Sequence, residues 1–171
     1  MLVAAHRSWL DPACLLGACP RPVSFLILDE VYAKPWASWL YRAVDAIPVS
    51  TGGAAAVAGT REALRRLSRG QVVGVFPEGR VFQEEHPGRF RHGAALLAVR
   101  GGAAIVPVHV RGSAEAWPRG RFLPRRGRIV VSVGPPIDPP PPEDGGVEAL
   151  TERIGEALAR LARDSCTEGA G

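Results

Sequence analysis

The sequence predicts an α/β fold, a single domain with a largely parallel central sheet flanked by helices. Three observations lead there. Short β-branched or apolar runs alternate along the chain with longer stretches of helical periodicity, the pattern of successive βα units. The 171 residues, 46 % hydrophobic and 22 % charged, suffice for one domain with a real core but not for two. The residues with the most chemistry follow predicted strands, where open α/β sheets bind their ligands.

The apolar stretch 2–5 reads as a first strand running into His6. A helix over 9–18 follows, with Asp11-Pro12 at or within its first turn, where a missing proline N–H does no harm, and Cys19-Pro20 ends it. Residues 23–28 form a buried strand, 35–44 a helix with Pro35 in its first turn, and 46–49 a short strand. From 55 to 69, Val57, Leu64 and Leu67 alternate with Arg61, Arg65, Arg66 and Arg69, which predicts an amphipathic helix with a solvated arginine face, closed by Gly70. Residues 72–76 are a strand delivering Pro77-Glu78-Gly79 at its carboxyl end; 93–99 are helical, and 103–110 and 128–133 are strands. A proline-rich connector precedes a closing amphipathic helix over 147–162, and 164–171 should fray. The expected organisation is a catalytic domain over 2–139 whose C-terminal helix and frayed tail occupy 140–171. No internal repeat is visible.

The formal charge is +4, and the basic side is arginine apart from Lys34. Such an excess suits anionic partners, but no recognition-helix, zinc or aromatic RNA-platform signature accompanies it, so nucleic acid is excluded as the expected partner. Cys14, Cys19 and Cys166 are too few and too badly spaced for a disulfide framework or a zinc site, which makes a reducing compartment the default. No run approaches the ~20 apolar residues that span a bilayer, and the N-terminus lacks the form of a signal peptide.

His6 and Asp11, in Ala5-His6-Arg7-Ser8-Trp9-Leu10-Asp11-Pro12, set an imidazole and a carboxylate at a short fixed spacing on a strand-to-helix turn. The imidazole can take a proton near neutral pH, while the carboxylate fixes its tautomer. Downstream stand Val75-Phe76-Pro77-Glu78-Gly79-Arg80, Gly88-Arg89-Phe90-Arg91-His92-Gly93, and Ile105-Val106-Pro107-Val108-His109-Val110-Arg111-Gly112. In order, these blocks resemble those of the glycerolipid acyltransferase family that includes the 1-acylglycerol-3-phosphate (lysophosphatidate) acyltransferases, from about Leu2 to Pro139.

The resemblance implies a glycerol-3-phosphate acyltransferase-like fold and an O-acyltransferase of phospholipid synthesis. His6 would be the catalytic base that deprotonates a glycerol hydroxyl, and Asp11 would orient it. Glu78, Gly79, Arg80 and Arg111 would bind the acceptor. No cofactor or metal is implied; acyl-CoA or acyl-carrier protein would be co-substrate. The other partners would be a lysophospholipid acceptor and the membrane surface, with the protein cytoplasmic and peripheral on the inner face of the cell membrane. The family carries a membrane-associating segment and a strand ahead of the His motif. This chain starts five residues before His6, as a truncated chain, a misplaced start codon or a fragment would.

Leu28 stands where a lysine is common and Ser50-Thr51 where an arginine follows, so two expected phosphate-binding cations are missing, and Arg80 could compensate with a bidentate contact. The F-P-E-G-R form and the stretch 39–48 resemble the 2-acylglycerophosphoethanolamine acyltransferase branch, whose acceptors carry a bulkier head group. A thioesterase-like hydrolase would use the same His-Asp pair on water without explaining Glu78. A degenerate domain binding membranes or a partner would account for the missing cations. Ser8 reads as a helix cap rather than a nucleophile, since no G-x-S-x-G elbow is present. His86 and His92 read as loop residues and His109 as a side chain on a polar strand face. Trp9, Trp36, Trp39 and Trp117 are candidates for either core packing or a bilayer interface.

Overall fold

The computed structural model describes residues 1–34, 39, 41–50, 52–78, 91–118, 120–121, 123–144 and 146–167. Its strands are β1 (Leu2–Ala4), β2 (Val23–Leu28), β3 (Ile47–Val49), β4 (Val72–Val75), β5 (Val106–Arg111) and β6 (Val130–Val133). Its helices are α1 (Asp11–Ala18), α2 (Asp29–Tyr32), α3 (Gly53–Ser68), α4 (Gly93–Gly101), α5 (Ser113–Ala116) and α6 (Val147–Thr167). The strands form one sheet in the order β3-β2-β4-β1-β5-β6. All neighbours are parallel except β6, which pairs with β5 antiparallel, Val110 opposite Val131. This is the largely parallel α/β sheet expected from the sequence.

Period-two alternation divides the strands between two cores. On one face Val3, Val73, Val75 and Ile105 meet Ala63 of α3, the apolar side of α4, and Leu150, Ile154 and Leu158 of α6. The last three recur every fourth residue, the spacing that keeps one helix face against a sheet. On the other face Ala4, Phe25, Val108 and Val110 pack against Leu15 of α1.

Several expectations need correction. The first helix begins at Asp11 rather than Trp9, because residues 8–10 form the turn that presents Asp11. The closing helix runs on through Thr167 instead of ending near 162, since its inner face continues to Ser165, which is 2 % exposed. The helix expected over 35–44 falls partly outside the described residues; 41–43 are helical, with Tyr41 stacked on Tyr32 at 6.0 Å. The arginine face of α3 is not simply solvated: Arg66 is buried, bonding Glu62, Ser24 and both the carboxylate and the carbonyl of Asp45. Asp45 takes φ +51°, a left-handed conformation that costs a non-glycine residue energy, and this clamp holds it there.

Gly74 in β4 lies beneath the Phe25 ring, so that an added Cβ would stand 2.5 Å from Cδ1 and Cε1 of Phe25. A glycine inside a strand here marks close approach rather than a bend. Gly74→Ala should therefore lower stability by about 1–3 kcal/mol, the usual cost of overpacking a core, read from the urea midpoint. An unchanged midpoint would show that the ring shifts freely.

Candidate active site

β1 and β4 lie side by side and parallel, yet the chain leaves them toward opposite faces of the sheet, to α1 after β1 and to α4 after β4. Such a divergence opens a crevice beyond the strands' carboxyl ends. His6 follows β1 and Glu78 follows β4, so adjacent strands deliver both to this crevice.

Asp11 is fully buried. Its Oδ2 accepts the backbone N–H groups of Arg7 and Ser8, both at 2.7 Å, and faces Nδ1 of His6 at 3.1 Å. Its Oδ1 accepts the Ser113 hydroxyl at 2.6 Å. An ionised carboxylate only accepts, so Nδ1 of His6 carries the proton and the lone pair is left on Nε2. The imidazole stacks on Phe76, ring centroids 4.1 Å apart, and Phe76 stacks on Phe25 at 5.5 Å. Ring orientation is thus fixed from the side by aromatic packing and from behind by a carboxylate.

Burial pushes the Glu78 carboxyl above its ordinary value of 4.5, opposed by the backbone N–H groups of Glu78 and His6 and by the charges of His6 and Arg7. Among the described residues its buried Oε2 has no hydrogen-bond partner, an arrangement that favours a donor arriving from outside. Burial also lowers the proton affinity of His109, and the charges of Arg7 and Arg111 lower it further while Asp11 raises it. The charges of Arg7, Asp11 and Arg111 thus all bear on His109 in β5.

His6 and Asp11 are in contact, Glu78 meets the same loop, and Arg111 ends β5 nearby. Gly79 and Arg80, like His86 and Trp36, lie outside the described residues. His109 is buried, 8 % exposed, and not on a solvated face: α6 packs along β5, and Val108 and Val110 join the core that holds Leu15. Ser8 is not the N-cap of α1: Leu10 holds that position, and the Ser8 hydroxyl accepts the Leu10 N–H and donates to the Trp117 carbonyl. His92 is no free loop residue but the N-cap of α4, its ring 3.1 Å from the Thr151 hydroxyl on α6. Trp9 and Trp39 are exposed and Trp117 is half-buried. Sequence reasoning passed over Ser113 and Arg7, although Arg7 lies within a block it singled out and Ser113 directly follows another.

Among the described residues no group of His, Cys, Asp or Glu is arranged to hold a metal ion, and no helix is long and apolar enough to cross a membrane.

With this geometry in hand, comparison with known proteins is direct. The model of the acyltransferase family matches residues 1–111, and the chain belongs to that family. A 1-acyl-sn-glycerol-3-phosphate acyltransferase of Bacillus subtilis is 23 % identical over 168 residues, covering 94 % of this chain and 80 % of that protein. A lyso-ornithine lipid O-acyltransferase of Pseudomonas aeruginosa is 32 % identical over 176 aligned positions, 94 % of this chain and 66 % of that protein. The crystal structure of the 1-acyl-sn-glycerophosphate (LPA) acyltransferase PlsC from Thermotoga maritima superposes with a TM-score of 0.76 at 25 % identity, covering 96 % of this chain and 65 % of that one.

The raised Glu78 carboxyl has a consequence for stability. A folded state that holds this proton more tightly than the unfolded chain loses stability as pH climbs above 4.5 through the folded value. Glu78→Gln cannot ionise. Its unfolding temperature relative to the parent chain should therefore be higher at neutral pH than near pH ~4, where both side chains are uncharged. A difference that does not vary with pH would mean that Glu78 is effectively solvated.

Proposed function

We propose that this chain transfers a fatty acyl group from an acyl thioester, acyl-CoA or acyl-carrier protein, to a hydroxyl of 1-acylglycerol-3-phosphate or a related lysophospholipid. The carrying observation is the His6–Asp11 pair at 3.1 Å, set in the same crevice as a buried, unpartnered Glu78 oxygen. Nε2 of His6 takes the proton of the acceptor hydroxyl as its oxygen attacks the thioester carbon. The tetrahedral intermediate collapses with cleavage of the C–S bond, and the same proton passes to the departing sulfur. Asp11 stabilises the imidazolium formed between these steps. The orphaned Glu78 oxygen accepts a second acceptor hydroxyl, and Arg7 and Arg111 supply the positive charge for a phosphate that Leu28 and Thr51 do not.

The test is mass spectrometry of products from mixed lysophospholipids incubated with the chain and either donor. His6→Ala should lower turnover by ~10²–10⁴-fold, the usual contribution of a positioned acid–base group, and Asp11→Asn should be severely impaired. Arg111→Ala should raise the acceptor KM with little change in kcat, since a phosphate keeps its charge during acyl transfer. A folded His6→Ala chain with parental turnover would sink the mechanism. Product from lysophosphatidylethanolamine alone would move the acceptor to the bulkier head-group class.

We further infer that the active-site end of the sheet rests on the cytoplasmic membrane surface. Trp9, Trp39 and Leu123 are 45, 66 and 68 % exposed and follow β1, α2 and α5 in the chain. Exposed Arg121, Arg125, Arg126 and Arg128 share the segment of Leu123. Apolar wedges beside cations suit an interface of anionic lipids. Trp9→Ala combined with Leu123→Ala should weaken sedimentation with phosphatidylglycerol vesicles by at least roughly tenfold, since each fully inserted side chain contributes about 1.5–3 kcal/mol. Equal binding by the double variant would place the contact elsewhere.

A further inference from the structure

Asp11 is held from two directions. The His6 loop supplies two backbone N–H groups to Oδ2, whereas Oδ1 accepts the Ser113 hydroxyl at 2.6 Å, from 102 residues away in sequence. Ser113 is 1 % exposed and Asp11 is fully buried, so water has no access to this bond. Where Ser113 stands is dictated by the turn before it. Gly112 takes φ +85°, and an added Cβ there would lie 2.1 Å from the Arg128 carbonyl oxygen, so the chain can leave β5 this way only with glycine. A second bond, from the Ser8 hydroxyl to the Trp117 carbonyl at 3.4 Å, ties the His6 loop to the far end of α5.

We propose that Ser113 is a positioning residue for acyl transfer, its hydroxyl fixing the rotation of the Asp11 carboxylate so that Oδ2 stays on Nδ1 of His6. This rests on the base role given to His6. Two backbone donors crowd Oδ2, and without the Ser113 hydroxyl the buried Oδ1 has no hydrogen-bond donor among the described residues. The carboxylate then turns to share the Arg7 and Ser8 N–H groups between both oxygens. The His6 ring loses its fixed acceptor, and the tautomer with a free Nε2 is no longer enforced. Backbone contacts alone cannot replace the hydroxyl, because they all approach from the same loop.

The experiment compares Ser113→Ala and Ser113→Thr with the parent chain, reading steady-state kinetics and the ring-nitrogen NMR shifts of His6. Ser113→Ala should lower kcat by roughly tenfold or more, as losing a hydrogen bond to a buried charge predicts, with both KM values nearly unchanged. Ser113→Thr, which keeps the hydroxyl, should restore kcat. The nitrogen shifts should pass from a single Nδ1–H tautomer to a mixture in Ser113→Ala and return in Ser113→Thr. Unchanged tautomers in a folded Ser113→Ala chain would overturn the proposal, as would a loss of kcat that threonine fails to restore. If the parent chain transfers no acyl group, the reading of function fails, while the tautomer comparison still decides the role of Ser113.

Discussion

One buried carboxylate organises this end of the molecule. Asp11 is the first residue of α1, the partner of His6, and the acceptor of hydrogen bonds from its own loop and from Ser113 beyond β5. A charge without solvent is tolerated only when donors surround it, so its burial and its four contacts are a single fact. Because those donors come from two segments far apart in sequence, the carboxylate can be satisfied only when β1 and β5 are already paired. The reactive geometry therefore depends on completion of the sheet, not on the local H-x-x-x-x-D spacing. An Asp11 variant should be judged for folding as well as for turnover, since the same side chain serves both.

The imidazole has a second support of a different kind. From Gly74 through Phe25 and Phe76 to His6, rings are stacked in sequence across β4, β2 and the loop after β1. This packing is non-directional along the ring plane, whereas the bond to Asp11 is directional. Together they leave little freedom for rotation of the ring.

Much of the fold was legible because it was written in short-range patterns. All six strands stand where apolar runs placed them, β2 with its expected bounds and the other five with a boundary moved by one to three residues. α2 is four residues long and has no periodicity to read. His109 misled because Val-His-Val alternation resembles a strand with one wet face, while here α6 packs along the strand and His109 is buried. Arg66 looked like its solvated neighbours because its partner, Asp45, comes from a loop 21 residues earlier. At the site, His6, Asp11 and Glu78 were recognisable because each follows a strand within a family block. Ser113 was not: its significance is a contact over 102 residues, and a serine after a glycine has no periodic signature.

The two layers of helix are unequal, and the site is on the thinner one. α3, α4 and α6 cover one face of the sheet with an extensive apolar core, while α1 contributes to the other with a single buried apolar side chain, Leu15, beside the polar network at Asp11. Detaching α6 would expose Leu150, Ile154 and Leu158 together; detaching α1 would expose Leu15 and disband the contacts of Asp11. Partial opening follows the smaller cost. An opening at α1 thus disassembles the His–Asp pair while most of the apolar core stays closed. Loss of activity on mild heating or in dilute denaturant need not report loss of the fold.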